Sequence, residues 1–279
     1  MHPIIRTLGR KIPVRLRRRI SAPLDAVRFF KTYLGRQTAT ILPILLATGE
    51  THNFTYDLTE KNLRYLAETI AVVTGKAPTD IAGYIDEAIG DSALKRHFET
   101  AMRTVGDQPL RNLRSPFGRR LGWYAIVRAI KPKVIVETGV ERGHGALLLC
   151  AALLRNAAEN EPGRYFGTDI NPKAGRLLSG EYASAGKILY GDSITSLKAL
   201  DETIDLFIND SDHSADYEYE EFKVIAPKLS AKAIVLGDNA HVTDKLALFS
   251  RESGKRFVFF QEEPKNHWYP GAGIGISFP

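Results

Sequence analysis

Residues 208–213 read INDSDH: an amide, two carboxylates and an imidazole fall within five positions. They follow directly on the apolar run Ile204-Asp205-Leu206-Phe207, so the polar cluster is released where a buried strand should end. One reading is a solvated turn whose acids cap the next helical pattern, ADYEYEEFKVIAPKL, with Asp212 the better cap. The other reading is a site. Carboxylate and amide oxygens suit a hard divalent cation, and a neutral His213 three residues beyond Asp210 could accept a proton.

A second cluster, ETGVERGHG at 137–145, has glycines spaced GxxxGxG behind an acid. Gly139 and Gly143 permit a tight strand-to-helix turn and close approach of the backbone to a ligand. The spacing is not the GxGxxG of dinucleotide-binding turns, and a diphosphate would not welcome Glu137 beside it. A ligand carrying an amine would. His144, inside the turn, reads as a ligand contact rather than a base. Two more acids close apolar runs further on: Asp169 in GTD, suited to ribose hydroxyls, and Asp192 in YGDS, followed by Ser193, suited to an adenine amino group. Each could equally be a helix cap.

These clusters need a scaffold that brings strand ends together. Seven β-rich runs are present: KVIVE (133–137), RYFGTD (164–169), KILYGD (187–192), DLFIND (205–210), KAIVLGD (232–238), RFVFF (256–260) and GIGISF (273–278). Segments long enough for crossover helices separate the first five, the pattern of an α/β, doubly wound, mostly parallel sheet. The last two are joined by a polar-aromatic loop and read as an antiparallel pair closing the edge. In such sheets ligands bind beyond the carboxyl ends of the strands, where all the polar clusters lie. Upstream, three helical patterns stop at Gly75, Gly90 and Gly106, the first capped by Thr59. The chain therefore divides into a basic leader (1–40), a helical accessory region (41–110) and the sheet domain (111–279).

ETGVERGHG, GTD, YGDS and the terminal two-strand closure together resemble a class I S-adenosylmethionine-dependent methyltransferase. That resemblance implies a Rossmann-like, seven-stranded sheet in the order 3-2-1-4-5-7-6. It implies S-adenosyl-L-methionine as cofactor, with Gly139 and Gly143 under its methionine part and Glu137 toward its amino group. Asp169 would take the ribose, and Asp192 would lie near the adenine. The fifth strand ends in Gly237-Asp238-Asn239-Ala240-His241, and an Asp from one strand with an Asp-Asn pair from the next resembles the metal-dependent O-methyltransferases of the catechol and macrolide-sugar types. This implies Mg²⁺ on Asp210, Asp238 and Asn239, and His213 as general base. The sugar type carries Glu-Asp where this chain has Asp-Asn, which leaves the acceptor open. His241 and the loop residues His267, Trp268 and Tyr269 are further candidates to contact an acceptor. The expected activity is methyl transfer to a hydroxyl of a small molecule, sugar or glycosylated natural product. The alternatives are an NAD(P)-dependent oxidoreductase and a catalytically silent binding protein on the same fold.

Bulk composition agrees with a globular chain: 44% hydrophobic and 25% charged residues, one cysteine, and no apolar run near the roughly 20 residues of a membrane span. Cys150 lies in ALLLCAALL and reads as core; without a secretory signal, the expected setting is cytoplasmic. The net charge of +6 is uneven. Residues 1–36 hold ten Lys/Arg against one acid, Asp25, a local +9 that leaves −3 for the remainder. Interleaved apolar residues suit this arm to a membrane surface, making the protein peripheral there, or to an acidic partner. The mildly acidic body argues against a nucleic-acid substrate. The helical region is expected either to lid the acceptor site or to build the interface of a homo-oligomer.

Overall fold

In a computed structural model, residues 27, 30, 56–104, 117–238, 240–267 and 269–279 are described. Two compact units arise: Met1–Phe54 with Asn266–Tyr269, and Thr55–Lys265 with Pro270–Pro279. In the first, the described residues include Val27 and Phe30, both exposed, and a turn in which the Tyr269 amide donates to His267 Nδ1 at 3.0 Å. The basic residues of the leader lie outside the described ones. No helix among the described residues is long and apolar enough to cross a membrane.

The second unit is built on seven strands: β1 (Val134–Thr138), β2 (Arg164–Asp169), β3 (Gly186–Tyr190), β4 (Ile204–Asn209), β5 (Leu229–Gly237), β6 (Arg256–Gln261) and β7 (Gly273–Phe278). Their order is β3-β2-β1-β4-β5-β7-β6, as expected from the resemblance. The first five are parallel, and β7 pairs antiparallel with both β5 and β6. Every residue of the central strand β1 is buried, because helices cover both faces, whereas the edge strand β3 is partly exposed along its length.

Helices α1 (Glu60–Thr74), α2 (Pro78–Gly90) and α3 (Ser92–Thr104) form the accessory region. The Thr59 hydroxyl caps α1 by accepting from the Asn62 amide at 3.2 Å, and Gly75 ends the helix in a left-handed turn. Asp91 caps α3 through the amides of Ala93 and Leu94. The next helix, α4 (Arg120–Ile130), has no counterpart in the sequence reading. It is buried on nearly all sides, so RLGWYAIVRAI shows no polar stripe that would mark a helical period. Its Gly122 lets Leu66 and Ile70 of α1 approach the backbone, which seats the accessory helices on the sheet domain.

The crossovers are α5 (His144–Ala158), α6 (Ser193–Ala199) and α7 (Ala215–Ile225); α8 (Lys245–Glu252) precedes β6. The β2–β3 connection departs from expectation. It is a turn followed by a 3₁₀ segment, Gly180–Ala185, because Pro172, Gly175 (φ +75°) and Gly180 (φ +59°) interrupt any α-helix there.

Candidate active site at the carboxyl rim of the sheet

The turn from β1 into α5 places the ends of β1 and β4 in contact. Gly139 has φ +78°, and a Cβ there would lie 1.9 Å from the Asp210 carbonyl oxygen, so no side chain fits. Gly145 has the same relation to Glu137: a Cβ would meet Oε1 at 2.2 Å. Glu137 is buried and accepts from the Tyr165 hydroxyl. Burial pushes its carboxyl from the ordinary 4.5 up to about 7, against the Tyr165 hydrogen bond and the Arg120 charge.

Asp169 stands half-exposed at the end of β2, with one oxygen accepting from the Glu141 amide at 2.7 Å and the other from the Asn171 amide at 2.8 Å. These bonds fix the carboxylate and leave each oxygen a further lone pair for a ligand hydroxyl. Ile170 beside it is 81% exposed, an apolar surface at the rim that the sequence reading did not single out.

Asp192 and Ser193 both make hydrogen bonds within the protein. Asp192 caps α6, accepting from the Thr195 amide at 2.7 Å and hydroxyl at 2.6 Å, and from Tyr217 at 2.7 Å. These bonds, the Thr195 hydroxyl first, hold its carboxyl below the usual range. The buried Ser193 hydroxyl donates to Glu221. Glu221 was not anticipated. It sits on α7, buried, and also accepts from Thr138 (3.0 Å), Ser211 (2.8 Å) and Asn209. One carboxylate thus ties together the ends of β1 and β4, the loop after β4 and the start of α6. Within INDSDH, Asp212 accepts from the Ser214 amide at 2.7 Å, the local turn role foreseen for it.

His144 is buried against the Phe98 ring, 5.5 Å between centroids. Burial, with the Arg120 and Arg142 charges, pushes its imidazole down to about 3, so it is neutral. Its Nε2, the Arg120 Nε, the Trp123 Nε1 and the Thr168 Oγ1 are buried without a hydrogen-bond partner among the described residues. Buried polar atoms without a partner, near glycines that admit no side chain, fit an adenosyl ligand carrying an amino acid moiety.

On the other side of the rim, Asp210 and Asp238 lie close enough for each carboxyl to shift the other. Two arginines that the sequence reading did not single out accompany these acids. Arg119 Nε donates to Asp238 Oδ1 at 2.6 Å, and its terminal nitrogen donates to the second oxygen. Arg120 donates to Asp210 Oδ2 at 3.5 Å while lying over the Trp123 ring. Burial alone would raise the Asp238 carboxyl, but the Arg119 charge overrules it and holds the group well below its ordinary value. Asp210 moves the other way, raised by burial and by the Asp238 charge. Asn239 and Trp268 lie outside the described residues. No group of three or more His, Cys, Asp or Glu among the described residues could hold a metal ion. Of the three residues expected to hold magnesium, Asp238 is engaged at both oxygens by the Arg119 guanidinium and Asn239 is outside the described residues.

His213 completes the rim. Its Nε2 lies 4.0 Å from Asp210 Oδ1, and the imidazole is near enough to Glu218 and His241 to act on both electrostatically. Burial, then the Arg119 charge, pushes the His241 imidazole below its ordinary value. His267 and Tyr269 belong to the first compact unit.

Residues 136–240 match the family model described as a methyltransferase domain. No curated protein matches the sequence. Among solved structures, the O-methyltransferase TomG of Streptomyces achromogenes, involved in tomaymycin synthesis and bound to SAM, is 18% identical over 67% of this chain and 89% of its own, TM-score 0.49. An O-methyltransferase of Bacillus cereus in complex with SAH is 15% identical over 68% and 91%, TM-score 0.49. The SAH-bound methyltransferase PaMTH1 of Podospora anserina is 19% identical over 82% and 98%, TM-score 0.48. Residues 136–240 thus resemble a methyltransferase domain, and the seven strands stand in the order expected of the class I methyltransferase fold.

Proposed function

We propose that the rim transfers a methyl group from S-adenosyl-L-methionine to a hydroxyl oxygen of a small molecule, a sugar or a glycosylated natural product. Bound there, the cofactor would supply an electrophilic methyl on a sulfonium. Asp169 would accept its ribose hydroxyls through the lone pairs that the Glu141 and Asn171 amides leave free. Buried Glu137 lies behind the glycine turn, where an ammonium group would draw its proton off.

The observation that carries the acceptor half is His213, 4.0 Å from Asp210, whose backbone carbonyl abuts the glycine turn. In the transfer, a C–S bond breaks, an O–CH₃ bond forms, and the hydroxyl proton passes to the His213 imidazole. Magnesium is not part of this reading, since Arg119 and Arg120 already hold the two acids.

The test is His213→Ala with labelled cofactor and a panel of hydroxylated acceptors. Turnover should fall about a hundredfold or more, the usual scale for a lost general base, while S-adenosylhomocysteine still raises the melting temperature. Turnover equal to wild type would remove His213 from the mechanism. Stabilisation by NAD and not by S-adenosylhomocysteine would remove methyl transfer altogether.

A further inference from the structure

Helix α4 begins at Arg120 and helix α5 at His144. Buried polar atoms with no hydrogen-bond partner among the described residues stand in the first turns of both: Arg120 Nε, Trp123 Nε1 and His144 Nε2. The first two are N–H groups that can only donate, so each needs an oxygen acceptor that the described residues do not supply. The Arg120 guanidinium lies over the Trp123 ring, 5.3 Å from its centroid, and its charge acts on both His144 and Glu137. A buried donor left unmet costs about 1–3 kcal/mol, so the grouping marks a place kept for an acceptor from outside the chain.

The same place has a negative counterpart. A Cβ on Gly145, the residue after His144, would meet Trp123 Cζ3 at 2.8 Å and Glu137 Oε1 at 2.2 Å, so the indole and the carboxyl stand against one glycine. Arg120 itself is lightly committed. Its terminal nitrogen is 3.5 Å from Asp210 Oδ2, at the outer limit of a hydrogen bond, and its side chain is 21% exposed, within reach of a ligand. A guanidinium carries several N–H donors in a planar fork, so that one contact leaves donors for a carboxylate. A cation and an acid beside one indole match an α-amino acid, whose carboxylate and ammonium sit on a single carbon.

We infer that Arg120, set over Trp123, is a specificity-determining residue that takes the carboxylate of the cofactor's amino acid moiety, opposite the ammonium expected at Glu137. The inference rests on the rim being a site for S-adenosyl-L-methionine. Its readout is affinity instead of turnover. The full chain is titrated calorimetrically with S-adenosylhomocysteine and with its decarboxylated analogue, S-adenosyl-3-thiopropylamine, which keeps the amine and lacks the carboxylate.

Wild type should bind S-adenosylhomocysteine about tenfold to a hundredfold more tightly than the analogue, the scale of a hydrogen bond to a charged group. Arg120→Met should erase that preference by weakening S-adenosylhomocysteine without weakening the analogue. Arg120→Lys, which keeps the charge but not the fork, should restore part of it. Arg120→Gln reads the same preference should the methionine variant fail to fold. Equal affinity of wild type for the two ligands would overturn the inference and leave the cofactor site standing. A folded Arg120→Met or Arg120→Gln chain that keeps the preference, or weakens both ligands alike, would also overturn it. Binding of neither ligand by wild type would remove the cofactor reading, and this inference with it.

Discussion

Glu137 is a rim carboxyl displaced mainly by burial: it lies between Gly145 and the Tyr165 hydroxyl, away from water. With its carboxyl raised to about 7 against 4.5 in the open chain, the folded state keeps a proton that the unfolded state has released. The stability this group contributes is therefore full below about pH 4.5 and is lost as pH rises through about 7, a swing of about 3 kcal/mol. Glu137→Gln removes the swing and keeps the shape. At pH 8 the variant, free of cofactor, should melt several degrees above wild type, and near pH 4.5 the two should converge. A difference in melting temperature that stays constant from pH 4.5 to 8 would show that the carboxyl is not held protonated. Adding S-adenosylhomocysteine should shrink the gap at pH 8, because an ammonium near Glu137 favours its charged form.

At the level of elements, the strands were legible and their mutual fastening was not. All seven runs read from alternating or continuous apolar residues appear as strands in the expected order, since β-rich segments bounded by Gly and Asp carry their own local signal. Gly139, Asp169 and Asp210 were legible for the same reason: each stands at the boundary of such a run. Glu221 was not, because a lone Glu in the acidic helix pattern ADYEYEEFKVI gives no sign that it turns inward. Arg119 was likewise lost in the basic stretch before α4, where its partner Asp238 is 119 positions away. The Glu221 clip makes a sharp prediction. Glu221→Leu leaves the donors of Thr138, Ser193, Asn209 and Ser211 facing one another without an acceptor. It should cost about 3 kcal/mol and lower the melting temperature by roughly 6–12 °C. S-adenosylhomocysteine affinity should fall with it, since the clip sets the distance between β1, β4 and α6. A Glu221→Leu chain melting with wild type would mean that these donors find water instead.

Across the whole Thr55–Lys265 unit, the accessory helices and the sheet share a core through α4. Trp123 and Tyr124 of that helix are wholly buried, Gly122 receives Leu66 and Ile70 of α1, and the Tyr124 hydroxyl donates to Glu87 of α2. Arg128, 4% exposed, extends the link: it donates to Glu87 at 2.8 Å on one side and to Glu159 at 2.6 Å and Asn156 on the other, joining α2 to the end of α5. A region attached by shared apolar burial and a buried charge should not open independently of the sheet. Native-state hydrogen exchange should therefore give Leu66 and Ile70 in α1 the same opening free energy as Ile135 in β1 and Phe207 in β4. Arg128→Met should lower all four together by about 2 kcal/mol, less than the roughly 3–5 kcal/mol of a fully buried pair because Glu87 and Glu159 keep access to water. If α1 instead exchanges at much lower cost than the strands, and only α1 responds to Arg128→Met, the helices are a separately folding appendage. The rim would then have to be complete without them, and Tyr56, which reaches Glu262 from the segment just before α1, is the contact that would be lost first.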